Sequence, residues 1–180
     1  MRILWVDAVA CCVGAFVSSS PRFCCLFRFN QPIGSWNTSS VVSTEMAFAV
    51  ATKFNQPLDD WDVQNVYSMY VMFGCSVSDT ACEFNQPLPS WDVGFVEDFD
   101  SMFENSHFNQ DVSGWNMASA MRIQWMFTDA SEFSQNLCPW GESLSDEAWS
   151  SDVFVGTKCP IQDSPNLTAT PPGPFCFPCD

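Results

Sequence analysis

FNQPLDDWDVQNV, residues 54–66, is rewritten as FNQPLPSWDVGFV at residues 84–96. The same phrase stands at Phe29 as FNQPIGSWNTSSV and at Phe108 as FNQDVSGWNMASA, and it returns truncated at Phe133 as FSQNLCPWG. A single globular core has no use for five copies, and a catalytic site needs its residues once. The starts are separated by 25, 30, 24 and 25 residues. A period in this range marks a repeat array, in which each unit buries its apolar side only against its neighbours.

Numbering each phrase from its Phe separates the fixed positions from the free ones. Position 1 is always Phe and position 3 always Gln (Gln31, Gln56, Gln86, Gln110, Gln135). Position 5 is aliphatic (Ile33, Leu58, Leu88, Val112, Leu137) and position 8 always Trp (Trp36, Trp61, Trp91, Trp115, Trp140). Through four units position 20 is Phe (Phe48, Phe73, Phe103, Phe127), position 19 is Ala47 and then Met72, Met102 and Met126, and position 23 is small. Apolar residues recur in steps of three from position 10 to 19, which is neither the strand period of two nor the helical 3.6. A flattened coil of very short strands and single helical turns is expected. Asn30, Asn55, Asn85 and Asn109 at position 2 are expected to stack as a ladder whose amides satisfy backbone groups at a bend. The long second unit carries an insertion near GCSVSDTAC, which reads as a surface loop pinned by Cys75 and Cys82.

Composition narrows the partners. The chain has 180 residues, with 17 Phe and 8 Trp, enough apolar surface for a sizeable core. Six basic residues face 21 acidic ones, for a net charge of -15, and residues 29–157 alone carry -16. Such a surface repels phosphate backbones and anionic lipid, so nucleic acid is excluded as an expected partner and a cationic one fits better. No stretch approaches the apolar length of a membrane-spanning helix.

Ten cysteines suit an oxidising compartment: Cys11, Cys12, Cys24, Cys25, Cys75, Cys82, Cys138, Cys159, Cys176 and Cys179. Cys75, Cys82, Cys138, Cys159, Cys176 and Cys179 are the disulfide candidates. Cys138 and Cys159 are placed to clamp a cap onto the last coil; Cys176 and Cys179 pair with each other or elsewhere. Asn37 and Asn166 begin glycosylation sequons, usable only on a secretory route. Residues 1–28 read either as a signal peptide, with Asp7 against that reading, or as a degenerate upstream repeat. Residues 29–140 form the repeat region, 141–160 a capping segment and 161–180 a Pro-rich, extended and poorly packed tail.

The phrase F-N-Q-x-L/I/V-x-x-W-D/N-V followed by M-x-x-M-F resembles the BspA-like leucine-rich-repeat surface proteins. YSMYVMF (67–73) and DSMFENSHFNQDVSGW (100–115) carry the likeness best. It is similar to their 26-residue-repeat, mycoplasma-lipoprotein-type branch, also abundant in algae such as diatoms. The cysteine-bearing closure from Leu137 to Pro160 resembles the ends of algal members. The resemblance implies a right-handed, leucine-rich-repeat-like α/β solenoid with a C-terminal cap, secreted or on cell surfaces, with roles in adhesion and protein binding. It brings no catalytic residue. The first unit lacks the Met step, a departure that falls at the front of the array.

His107 is the lone histidine, with no nucleophile or orienting partner, and reads as a solvated turn residue. Cys176-Phe-Pro-Cys179 is one C-x-x-C with no second pair and no nearby His, too little for zinc. Asp59, Asp60 and Asp62, with Asp92 one unit on, form a candidate acidic binding face; a glycosidase pair or a calcium site is the weaker reading of the same carboxylates. No cofactor motif is present. The expectation is a non-enzymatic extracellular or cell-surface module binding an unknown, cationic protein or surface ligand. A structural wall-associated repeat protein is the alternative, and a carbohydrate-active enzyme comes third.

Overall fold

The computed structural model describes residues 27–75 and 80–179. Both readings of residues 1–28 fall almost wholly outside that range, as do Cys11, Cys12, Cys24 and Cys25.

The units lie side by side in register. From position 16 onward, alternate amides leave one unit for the next: those of Thr44, Met46, Phe48 and Val50 donate to the carbonyls of Ser68, Tyr70, Met72 and Gly74 at 2.8–3.1 Å. Met69, Val71, Phe73 and Cys75 donate in the same way to Asp98, Asp100, Met102 and Glu104, and the pattern continues from residues 99–105 and 123–129. The amides between them close three-residue turns, as in Ala47 to Thr44 at 3.0 Å and Ala51 to Phe48 at 2.9 Å. Each unit therefore alternates one bond to its neighbour with one bond to itself.

That alternation overturns the expected α/β solenoid of short strands and helical turns. Among the described residues the only helix is a 3-10 helix, Cys138–Glu142, and β structure is limited to isolated bridges. No sheet forms. The physical reason lies at position 18, where Met46, Val71, Ser101 and Trp125 have φ of 50–55°. Position 22 repeats the reversal at Val50, Asn105 and Asp129. A left-handed residue every fourth place stops a strand from extending and a helix from propagating. Five parallel bridges remain, among them Ser43 with Ser68, Ser68 with Asp98, and Asp98 with Arg122.

Three side-chain ladders explain the fixed letters. The Asn30 Oδ1 accepts from the Asn55 amide and from Gln56 Nε2, at 3.0 and 2.9 Å. Asn55, Asn85 and Asn109 repeat the same two bonds to the next unit, so the Asn-Gln pair is one interlocking device. Every indole of a later unit donates to the carbonyl of position 5 in the unit before: Trp61 to Ile33, Trp91 to Leu58, Trp115 to Leu88 and Trp140 to Val112, at 2.9–3.4 Å. A buried indole N–H is costly without such a partner. The Phe of position 20 stacks on the Phe opening the next unit: Phe73 on Phe84, Phe103 on Phe108 and Phe127 on Phe133, with centroids 3.8–3.9 Å apart. These rings, with the Met, Val and Trp columns, make one continuous buried core.

Beyond Trp140 the register persists where the sequence pattern fades. Ile123, Trp125, Phe127 and Asp129 donate to Trp149, Ser151, Val153 and Val155, and Phe154 stacks over Phe127 at 6.1 Å. A fifth bridging segment is thus present, with Val153-Phe154 in place of Met-Phe. The tail is packed, contrary to expectation. Phe175 and Cys176 are fully buried, Cys138 is bonded to Cys179, and Cys159 to Cys176. Tail side chains also serve the last unit's outgoing amides: Ser164 accepts from Asp152 and Gln162 from Gly156.

Candidate functional site

Position 9 is Asn or Asp in the four complete units because that residue closes a turn. Its side-chain oxygen accepts the amide two residues on: Asn37 from Ser39, Asp62 from Gln64, Asp92 from Gly94 and Asn116 from Ala118, at 3.1–3.2 Å. Such local bonds favour Asn and Asp at turns. Asp59 is committed as well, accepting from the amide and hydroxyl of Ser90 in the next unit, at 2.8 and 2.9 Å. Of the expected acidic face, Asp60 lies exposed beside an open hollow of about 290 Å³ walled by Pro32, Gly34, Ser35, Pro57 and Asp59. Asp62 and Asp92 thus hold turns, and Asp59 joins its unit to the next. Among the described residues no three His, Cys, Asp or Glu side chains group to hold a metal ion.

The remaining expected residues fall as follows. Asn37 and Asn166 are exposed, each Oδ1 accepting from the amide and hydroxyl of the sequon's third residue. Cys75 bonds to Cys82, closing the base of the insertion. Cys138 pairs with Cys179, and not with Cys159, because the tail folds back over the last unit. His107 is exposed and shares the position before the phrase with Lys53, Glu83 and Glu132. Lys53 pairs there with Glu83, and Glu132 with Lys158.

A different surface gathers the unclaimed chemistry. Nine large hydrophobic side chains are exposed among the described residues; numbering the last unit by the bridge of Trp149 to Arg122, two places behind its count from Phe133, seven of them lie between positions 14 and 21: Val42, Tyr67, Tyr70, Met121, Trp125, Trp149 and Val155. The bridges align this segment from unit to unit. At position 15 the column runs Ser43, Ser68, Asp98, Arg122 and Trp149. At position 14 it runs Val42, Tyr67, Glu97 and Met121, and at position 17 Glu45, Tyr70, Asp100 and Gln124.

Carboxylates crowd the middle of this surface. Arg122 donates to Asp98 at 2.7 Å and approaches Asp100 at 3.9 Å. Asp100 is only 8% exposed, and it accepts the Gln124 amide at 2.7 Å. Burial raises its pKa to about 6, with Asp98 adding to the rise; the Gln124 amide and Arg122 oppose it. Burial also raises Glu104. The sequence carried only a faint signal for this surface, which the acidic phrase obscured: position 14 changes letter in each of the four complete units, as Val42, Tyr67, Glu97 and Met121.

Among the described residues no helix is long and apolar enough to cross a membrane. Residues 19–79 and 75–160 match the family described as "Mycoplasma protein of unknown function, DUF285". The match supports the mycoplasma-type side of the resemblance and reaches neither its leucine-rich nor its algal side. No curated protein and no solved structure matches the chain.

Proposed function

Because the chain belongs to the repeat family described as "Mycoplasma protein of unknown function, DUF285", we propose that it is a non-enzymatic binding module, akin to BspA-like surface proteins and working outside the cell. One observation carries this reading. The fixed letters of the phrase are spent on joining units, while the variable positions 14, 15, 17, 18 and 21 present exposed aromatic and apolar side chains along the bridged segment. Exposed rings and apolar chains gathered on one surface, here with carboxylates among them, are characteristic of an interaction site. Three disulfides support an oxidising environment.

The test is saturable attachment. Tagged, secreted chain is titrated onto intact cells or their surface matrix, with reduced and alkylated chain as control. Saturation by the native chain alone sustains the module. Uptake that rises linearly without a plateau points instead to a structural, wall-associated protein.

A further inference from the structure

We infer that the columns at positions 14, 15 and 17 form a docking face for a basic, arginine- or lysine-bearing segment of a partner protein. The inference rests on the binding-module reading and gives it a surface and a partner chemistry. Three observations carry it.

The first is the concentration of exposed rings and apolar chains. Trp149 is 63% and Met121 62% exposed, although each sits beside a backbone bond that fixes it in its column. Tyr67 and Tyr70 stand two units before Trp125 in the same segment. The second is register. Successive units are joined by bridge bonds, so their columns repeat at about the inter-strand distance of 4.8 Å. An extended partner lying across the units would meet a new side chain at each step.

The third is charge. Glu45 and Glu97 are exposed in these columns, and Asp98 already holds Arg122, their one base, at 2.7 Å; Asp100 is buried and adds little to the surface charge. The face is therefore negative as well as aromatic. Guanidinium and ammonium groups answer both properties, through ion pairing and by stacking on ring faces. Phosphate-bearing ligands answer neither, and a neutral sugar would use the rings and ignore the carboxylates.

The experiment titrates the full oxidised chain with a fluorescent Arg-Gly-Ser repeat peptide and with its Gln-Gly-Ser analogue. The native chain should bind the arginine peptide, with affinity falling as salt rises, and should ignore the glutamine peptide. Tyr67→Ser with Trp149→Ser should weaken binding about tenfold, as two lost ring contacts imply. Asp98→Asn should weaken it and flatten its salt dependence, whereas Asp60→Asn with Asp92→Asn, outside the face, should leave it unchanged. Equal weakening by both acidic substitutions would reduce the effect to net charge and overturn the face; so would equal binding of the two peptides. Unchanged thermal midpoints guard against loss of fold. The same variants enter the cell-surface titration. If all of them saturate like the native chain, the face is wrong and the module stands. If the native chain shows no plateau while peptide binding still depends on the face, the module reading falls and the face survives.

Discussion

The middle of the array and its C-terminal end solve one problem by different means. From Phe54 to Ala130 each unit rests on a neighbour at both sides, and the Asn-Gln, Trp and Phe ladders run through without a break. From Phe133 onward there is no following unit, and position 2 is Ser134 in place of Asn. There the chain turns to single-use contacts. Two disulfides tie the tail down, Phe175 fills the core, and Ser164 and Gln162 accept amides that would otherwise point at a further unit. Repetition suffices where a neighbour exists, and covalent closure appears where it does not.

The comparison breaks most visibly in the middle. Phe103 contacts Phe73, Phe108 and Phe127, so Phe103→Ala removes a ring from three stacks at once. A loss of about 3–5 kcal/mol is expected in urea denaturation. At the end, the paired substitution Cys138→Ser with Cys179→Ser opens a loop whose ends are 41 residues apart and should cost about 4 kcal/mol. Cys75→Ser with Cys82→Ser, in the middle, opens a separation of only 7 and should cost about 2 kcal/mol. Equal losses from the two pairs would mean that the tail bond does not do the closing work assigned to it.

The Asn ladder gives a finer cut. Asn85→Ala removes the acceptor for the Asn109 amide and Gln110 Nε2, at a cost of about 1–2 kcal/mol. Asn85→Asp keeps that acceptor and should cost less. Ser134→Ala, past the ladder's end, should cost little, since no following unit calls on position 2 there.

Asp100 lends the middle a pH dependence. Its folded pKa stands near 6, above the ordinary 3.8, so the folded state takes up its proton first. The resulting stabilisation is complete below the ordinary value and is lost as pH rises through about 6. The thermal midpoint should therefore climb as pH falls from 7 to about 5. Asp100→Asn should raise the midpoint at pH 7 and flatten that climb. An unaltered slope would place the proton elsewhere, with Glu104, also raised by burial, as the next group to replace.

Much of the middle was legible because its constraints repeat. The Asn column and the Phe and Trp positions stand out wherever each neighbour imposes the same contact. What stayed hidden was conformational. Nothing in the letters Met46, Val71, Ser101 and Trp125 announces a left-handed residue, so steps of three suggested strands and helical turns where the backbone makes neither. The fifth bridging segment was hidden because Val153-Phe154 follows Phe127 at 27 residues and replaces Met with Val. The acidic phrase drew notice for its composition, yet Asp62 and Asp92 hold turns and Asp59 bonds the next unit. Exposed rings at variable positions carry no repeat signal and needed the register to bring them together.

The smallest effect is the sharpest test of that hidden conformation. Trp125 is an exposed residue at φ 54°, a conformation that disfavours any side chain with a Cβ. Trp125→Gly should raise stability by about 0.5 kcal/mol, the relief of strain outweighing the added freedom of the unfolded chain. Val42→Gly, also exposed but not at a positive φ, should lower it by about the same amount. At the end of the array the position-22 residue is already glycine. Gly156 has φ 75°, and a Cβ there would come within 2.2 Å of Asp129 Oδ1, so Gly156→Ala should destabilise where Trp125→Gly stabilises. The three signs, plus, minus and minus, follow from the alternating backbone and, at Gly156, from the clash with Asp129 as well. If Trp125→Gly and Val42→Gly lose the same amount, the left-handed position is not what keeps this chain from becoming helix or strand.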